Sequence, residues 1–373
     1  MELSQAADDR TFRCIPEHHR RSHEFCWYVY RHLAQMLIQH DEVGAHRVVS
    51  DAFRAIAKEQ GQNPSEVDML NFLQDNGFGK EYRFHLISNL ALALTADMLR
   101  YLHEGLRALQ ECHFSIAFTL LRKPFKENLI FLAWLLGGEE DFLQNFSANN
   151  YKTLNRIGEE DQLKILSDAI GCTVTPGYFD ATLMREAVFS KQQEFGLEPL
   201  WQKATHLITS QGSLLRTPDY SINFIFEPAD SEHYYNILYQ WLPDLFLLTS
   251  QIVPECLMKS LHFNEVTYSH HLVTTIGYYE ALGHAESGAG ISQVLNTAFR
   301  SFLKCGRCGE QLLISNSNAC RLYEIETIRC DQCGGDTQVP LFWLMSFGKM
   351  KASREGIKIG DIELGSIDEL NAS

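Results

Sequence analysis

Two Cys-x-x-Cys pairs near the end of the chain constrain its fold more than any other feature. The first pair is Cys305 and Cys308, the second is Cys330 and Cys333, and residues 309–329 separate them. This spacing is typical of a zinc ribbon, in which four thiolates bind one Zn²⁺ tetrahedrally. A glycine follows each pair, as a tight turn around a metal requires. Because four protein ligands leave no open coordination position, we predict one structural Zn²⁺.

The residues around these pairs predict a small β structure. Segments 311–314, 322–329 and 337–345 combine β-branched and apolar residues, and a polar turn composition at 315–318 separates the first two. A thioredoxin-like redox pair is disfavoured, since two pairs are present and no β-α-β pattern surrounds them. The other six cysteines are scattered singly and are interpreted as buried, reduced thiols.

The chain ahead of the ribbon has helical periodicity. Apolar residues recur every three or four positions through 82–113, which predicts a long helix, and 112–136 is apolar on all sides, which predicts a central one. We expect Pro243 and Pro254 to break a further helix at 231–260, and a long ordered loop at 210–230. The remaining predicted helices are 22–40, 43–60, one starting at Pro64, 159–170, 178–189, 196–207, 264–284 and 291–304.

Together these patterns predict a mainly α fold, in which a multi-helix body carries a small C-terminal β zinc ribbon. The body divides into an N-terminal helical segment, residues 1–78, and a central helical domain, residues 79–303. The ribbon covers residues 304–348, and residues 349–373 form a C-terminal tail.

Composition excludes several classes of protein. The 32 Lys and Arg against 47 Asp and Glu give a formal charge of −15, which argues against a protein that simply coats nucleic acid. No run of about eighteen apolar residues is present, so we expect no membrane span. Residues 1–12 are acidic and lack the apolar core of a secretory signal, so we expect a cytoplasmic location.

A charged stretch interrupts the predicted central helix. Arg122, Lys123 and Lys126 stand between apolar segments and could together bind an anion such as phosphate. Alternatively, they form a salt-bridged patch in which Glu127 pairs with Lys123 or Arg122, because unpaired charges are costly among packed helices. Pro124 lacks an amide hydrogen and is expected to kink this helix or to mark its first turn.

The leucine-rich helix with internal basic and acidic residues resembles the HEPN-like helical proteins of bacteria, over about residues 80–140. That family includes toxins and phage-defence ribonucleases. Active members carry an arginine, a polar neighbour and a histidine near a helix end, and cleave RNA without a metal. The resemblance implies that Arg107 and His113 are the catalytic pair here, although Ala108 replaces the polar neighbour.

No other motif gives a stronger indication of chemistry. The chain has no G-x-S-x-G motif, Walker-type loop or dinucleotide fingerprint. His19 and His23 are one helical turn apart, next to His18, but no third ligand for a second metal can be named.

We therefore predict a binding protein, in which the ribbon docks a protein or a nucleic acid (RNA or DNA) and the helical body supplies an assembly surface. The resemblance places it in bacterial stress or phage defence. Residues 304–335 contain four basic and four acidic side chains, which favours a protein partner. The alternatives are a metal-independent ribonuclease using Arg107 and His113, and a purely structural subunit. The sequence leaves a homo-oligomer open.

Overall fold

Helices dominate the part of the chain that the structure describes. The computed structural model describes residues 12, 14–147, 156–210, 216–217, 219, 222–223, 231–283, 290–353 and 356–358. The predicted mainly α fold with a small C-terminal β element is confirmed. None of the helices in these ranges is long and apolar enough to cross a bilayer.

The chain divides into two compact units, Met1–His262 and Phe263–Ser373. The domain boundaries inferred from the sequence stay predictions. Within the described part of the first unit the helices are α1 (Glu17–Val43), α2 (Val48–Glu59), α3 (Met69–Asp75), α4 (Gly79–Gln110), α5 (Phe114–Lys123), α6 (Leu129–Gly137), α7 (Glu139–Ser147), α8 (Glu159–Ile170), α9 (Ala181–Phe189), α10 (Leu197–Thr205) and α11 (Ser231–Met258). Short 3₁₀ turns lie at Ala45–Arg47 and Pro176–Tyr178.

The core of the first unit lies where α1, α4 and α11 pack against one another. Helix α11 is buried on nearly all sides, so its apolar residues meet neighbours in every direction. It runs without a break through Pro243 and Pro254, and the predicted interruption of 231–260 is wrong. Each proline removes one backbone hydrogen bond, but both are themselves buried in this packing, which offsets the loss.

A smaller apolar cluster joins the helices near the start of the unit. Phe53 of α2 meets Phe72 of α3 edge to face at 5.2 Å between ring centroids, and Leu73 is buried beside them. The helix expected to start at Pro64 starts instead at Met69, because Asp68 caps it by accepting a hydrogen bond from the Asn71 amide at 2.9 Å. Residues 64–66 form a turn.

The predicted central helix 112–136 consists of three segments: α5, a π-helical turn at Pro124–Asn128, and α6. Across the π turn the Leu129 amide donates to the Pro124 carbonyl, five residues back. The expected irregularity at Pro124 thus takes the form of one wide helical turn. Such single π turns are rare and occur often at functional sites.

The second unit contains α12 (Glu265–Ala281), α13 (Ile291–Ala298), α14 (Ala319–Ile325) and α15 (Leu341–Phe347), and two antiparallel hairpins. Strand β1 (Thr327–Arg329) pairs with β2 (Asp336–Gln338) in the register Ile328 opposite Thr337. Strand β3 (Lys351–Ser353) pairs with β4 (Gly356–Lys358), within the segment assigned to a tail. Helix α12 packs against α13, α14, α15 and β3.

The strand boundaries expected around the cysteine pairs are partly wrong. Residues 322–325 belong to α14 and residues 341–345 to α15, while Gln311 makes only an isolated bridge to Lys304. Both helices bury one apolar face against the unit, and this packing outweighs the β propensity of their residues. The loop expected at 210–230 lies largely outside the described residues.

Candidate metal centre

The two cysteine pairs lie at the tips of two hairpins of the second unit, one closed by the bridge between Lys304 and Gln311 and the other formed by β1 and β2. The first tip occupies residues 305–310, between the bridged residues Lys304 and Gln311. The second occupies residues 330–335, between β1 and β2. Each hairpin therefore carries one pair at its turn.

The two tips have the same backbone hydrogen bonds. In the first, Cys305 N donates to Glu310 O at 2.8 Å and Gly309 N donates to Cys305 O at 2.9 Å. In the second, the corresponding bonds from residues 330 and 334 measure 2.9 and 2.8 Å. Gly309 and Gly334 have φ of +75° and +66°, so both glycines are required by a left-handed backbone.

The four thiol sulfurs converge between the tips, and all lie within 4.8 Å of one another. Cys305 Sγ is 3.6 Å from Cys333 Sγ, and Cys308 Sγ is 3.7 Å from Cys330 Sγ. Tetrahedral Zn²⁺ with Zn–S bonds of about 2.3 Å requires sulfur–sulfur distances of about 3.8 Å. The site can thus hold one metal ion, and the four predicted ligands come together.

Donors around Cys305 favour the thiolate form of that side chain. The Arg307 amide lies 3.4 Å from Cys305 Sγ, and the Thr337 hydroxyl lies 3.7 Å from it. Backbone hydrogen bonds lower the pKa of the Cys305 thiol to about 6. A bound metal would deprotonate all four thiols. The hydrogen-bond donors would then orient the Cys305 thiolate toward the metal.

The histidines near the start of α1 are held by hydrogen bonds to other side chains. His18 and His19 both contact Asn236, and His23 is fully buried with its ring nitrogens near Tyr239 and Trp27. In the described part of the chain, the four cysteines are the only group of three or more His, Cys, Asp or Glu side chains with metal-binding geometry.

The three cations of the predicted anion site each face a carboxylate. Arg122 Nη1 lies 3.0 Å from Glu127, Lys123 Nζ lies 2.8 Å from Asp97, and Lys126 Nζ lies 2.5 Å from Glu198. The Arg122–Glu127 pair is one that the sequence predicts, whereas Lys123 pairs with Asp97 and not with Glu127. Anion binding by Arg122, Lys123 and Lys126 stays a prediction.

Asp97 and Glu198 were not found by sequence reasoning, because each lies far along the chain from its partner. Burial raises the pKa of Asp97, but hydrogen bonds from Lys123 and Asn128 outweigh it and hold that pKa below its usual range. Burial lowers the pKa of Lys126, and its hydrogen bond to Glu198 only partly offsets this. Glu198 is fully buried, in the first turn of α10.

Arg107 and His113 lie on either side of the turn that joins α4 to α5. Arg107 is in the last turn of α4, and His113 precedes α5 as its N-cap. Both side chains are about half exposed, with Glu104 4.0 Å from Arg107 and Glu111 3.4 Å from His113. Cys112, between the helices, has φ of +57°. Catalysis by this pair stays a prediction.

Comparison with known proteins adds no further information on the site. No protein-family model, no curated protein and no solved structure matches the chain. The resemblance to HEPN-like proteins therefore stays a prediction.

Proposed function

We propose that the second unit, Phe263–Ser373, is a zinc-stabilised docking module. The observation that carries the proposal is the convergence of four thiol sulfurs between two hairpin tips with matching hydrogen bonds. Four thiolates close the coordination shell of Zn²⁺, so the ion holds the hairpins together and has no open position for a substrate. The unit then acts through its surface.

Zinc is the metal proposed, because a closed set of four thiolates suits Zn²⁺ better than Mg²⁺ or Ca²⁺, which prefer oxygen ligands. An iron–sulfur cluster needs thiolates further apart than a single ion does, and the distances of 3.6 and 3.7 Å match one ion. The strands that carry the second cysteine pair are short, since β1 and β2 have three residues each. A structural metal would compensate for such short strands.

The proposal is tested by the metal content of the purified full-length chain. We expect one equivalent of zinc in the parent and almost none in the double variant Cys305→Ser, Cys330→Ser, because serine is a poor zinc ligand at neutral pH. The double variant Cys172→Ser, Cys320→Ser removes two thiols outside the site and is expected to keep one equivalent. Elemental analysis that finds undiminished zinc after loss of Cys305 and Cys330 would contradict the proposal.

The ribonuclease and the purely structural subunit remain the alternatives. Arg107 and His113 lie at a helix end, as the family resemblance implies, but each has a glutamate close by that would repel a phosphate. The docking module is therefore preferred, and the setting in bacterial stress or phage defence rests on the resemblance alone.

A further inference from the structure

Three aromatic rings form a partly exposed cluster next to the hairpin 304–311, which carries Cys305 and Cys308. Trp343 and Phe347, one turn apart on α15, are nearly parallel with centroids 5.3 Å apart. Phe302 lies edge-on to both, at 5.9 Å from Trp343 and 5.6 Å from Phe347. Trp343 is 42% exposed, and the other two rings are partly exposed. We call Phe302, Trp343 and Phe347 the aromatic cluster.

Basic side chains flank the aromatic cluster in the sequence. Arg300 and Lys304 are each two residues from Phe302, and Lys349 is two residues from Phe347. Two residues span at most about 7 Å of backbone, so these cations are anchored next to the rings. All three are exposed, and none forms an ion pair with a described residue. Lys351, by contrast, is 2.9 Å from Glu265.

Acidic residues are absent from the segments that carry this surface. Residues 299–304 and 341–353 contain four Lys or Arg and no Asp or Glu, in a chain whose formal charge is −15. The nearest acids along the chain are Glu310, Asp336 and Glu355, of which Glu355 lies outside the described residues. Asp336 is paired with Arg321 at 2.8 Å, and Glu265 with Lys351 at 2.9 Å. Cations that form no ion pair within the described ranges therefore coincide with exposed rings at one place on an acidic protein.

From this coincidence we infer that the aromatic cluster, with Arg300, Lys304 and Lys349, binds single-stranded nucleic acid. The inference rests on the proposed docking function of this unit and names its ligand class. Proteins that bind single strands combine aromatic side chains, on which bases stack, with cations that contact the phosphates. A duplex hides its base faces, so the rings would contribute little to duplex binding.

An acidic protein segment is the competing ligand, since it would also satisfy the three cations. Carboxylates, however, gain nothing from a half-exposed indole beside a parallel phenyl ring, whereas a base stacks on such a face. The affinity for a single strand should therefore depend on Trp343, whereas the affinity for an acidic protein segment should not.

The experiment measures fluorescence anisotropy of labelled single-stranded DNA and RNA oligonucleotides against the full-length, metal-loaded chain. Poly-glutamate and a duplex of the same sequence serve as competitors. We expect single strands to bind with a dissociation constant of about 10⁻⁴ to 10⁻⁶ M, the range of non-specific complexes. The logarithm of the association constant should fall with the logarithm of the salt concentration at a slope of about −2, because three phosphate contacts are expected. Poly-glutamate and duplex should compete weakly.

Two variants, each with a matched control, identify the side chains that contact the bases and the phosphates. Trp343→Ala should weaken single-strand binding about fivefold or more, the loss of one stacked base, whereas Phe342→Ala, equally exposed on the same helix, should not. Arg300→Gln with Lys304→Gln should reduce the salt slope to about −0.7, and Lys58→Gln with Lys80→Gln, exposed cations of the first unit, should leave it near −2.

The outcomes separate this inference from the proposed function. A chain that holds one equivalent of zinc but binds neither oligonucleotide at about 100 µM, or that loses affinity equally on Phe342→Ala, overturns the inference and leaves the metal centre intact. Competition by poly-glutamate that is stronger than that of unlabelled single strands also overturns it, in favour of an acidic protein partner. Binding through Trp343 by a chain that contains no zinc as purified would uphold the inference and contradict the zinc proposal.

Discussion

His23 is a buried side chain whose two ring nitrogens have different partners. Trp27 Nε1 donates to His23 Nε2 at 2.9 Å, so Nε2 carries no proton and Nδ1, 2.5 Å from the Tyr239 hydroxyl, carries the hydrogen. A second proton on the ring would remove the acceptor that Trp27 needs. Burial lowers the pKa of His23 to about 3, which keeps the imidazole neutral at physiological pH.

The neutral His23 predicts a loss of stability in mild acid. In the unfolded chain the imidazole binds a proton below about pH 6.5, but in the folded chain it does so only near pH 3. Unfolding therefore takes up a proton in this window, and stability should fall with decreasing pH by roughly 1.4 kcal/mol per pH unit. Between pH 7 and pH 5 the urea midpoint of the parent should fall more steeply than that of His23→Gln, which lacks the buried imidazole.

The exposed His206 provides the control for this pH dependence. His206→Gln should retain the slope of the parent, because it leaves the buried His23 in place. Equal loss of stability in the parent and in His23→Gln between pH 7 and pH 5 would show that other groups cause the acid sensitivity.

Two ion pairs of the charged stretch should differ in their contribution to stability. Glu198 has no exposed side-chain surface and faces Lys126, whereas the Glu127 side chain is half exposed and faces Arg122. Glu198→Gln leaves the lysine ammonium without a counter-charge in a largely buried site and should cost roughly 3 kcal/mol. Glu127→Gln should cost less than about 1 kcal/mol, the range for exposed pairs.

Chemical denaturation of the two glutamine variants, with the parent as reference, measures this difference. The substitutions are isosteric, so the loss of charge is the main change in each. If the two variants lose the same stability, burial does not control the strength of these pairs, and the prediction is wrong.

At the scale of elements, Gly277 of α12 sets how closely α14 approaches. An ideal Cβ built on Gly277 falls among atoms of the Tyr323 ring, which is buried and whose hydroxyl is 2.9 Å from Ser292. Gly277→Ala forces the helices apart and should destabilise the second unit by about 1–3 kcal/mol. Gly177→Ala, where no atom lies near the new Cβ, should change stability by less than about 0.5 kcal/mol. Thermal unfolding of both variants checks the prediction.

Local patterns predicted most helices but not how tertiary packing modifies them. The periodic run at 82–113 corresponds to Gly79–Gln110, within three residues at each end. Pro243 was expected to break a helix because an isolated helix cannot replace its missing hydrogen bond, yet α11 continues through it within the surrounding core. Residues 341–345 have strand-like composition, but only a helix places Leu341, Leu344 and Met345 on one buried face.

The candidate sites also differ in whether their residues are close together along the chain. The cysteine ligands were predictable, because metal geometry fixes their spacing within each hairpin. Glu198 and the aromatic cluster were not, since residues 302 and 343 are brought together only by the fold of the second unit. Contacts between distant segments have no local signal in a single sequence.

At the scale of the whole molecule, the formal charge is unevenly shared. The second unit has nine Lys or Arg and thirteen Asp or Glu, so most of the total charge of −15 lies in Met1–His262. A chain of this sign repels polyanions at low salt and at long range. Binding of a nucleic acid to the aromatic cluster would thus depend on short-range stacking and local cations, with little long-range attraction.

The π-helical turn at Pro124–Asn128 has a consequence for changes in chain length. A π turn holds one residue more than the α-helical path it replaces, so removal of one residue there restores a continuous α-helix without rotating the residues C-terminal to it. Elsewhere in the helix a one-residue deletion would turn every later side chain by about 100° around the axis. Residues 124–128 are therefore where this helix can shorten by one residue while Leu129–Gly137 keeps its buried face.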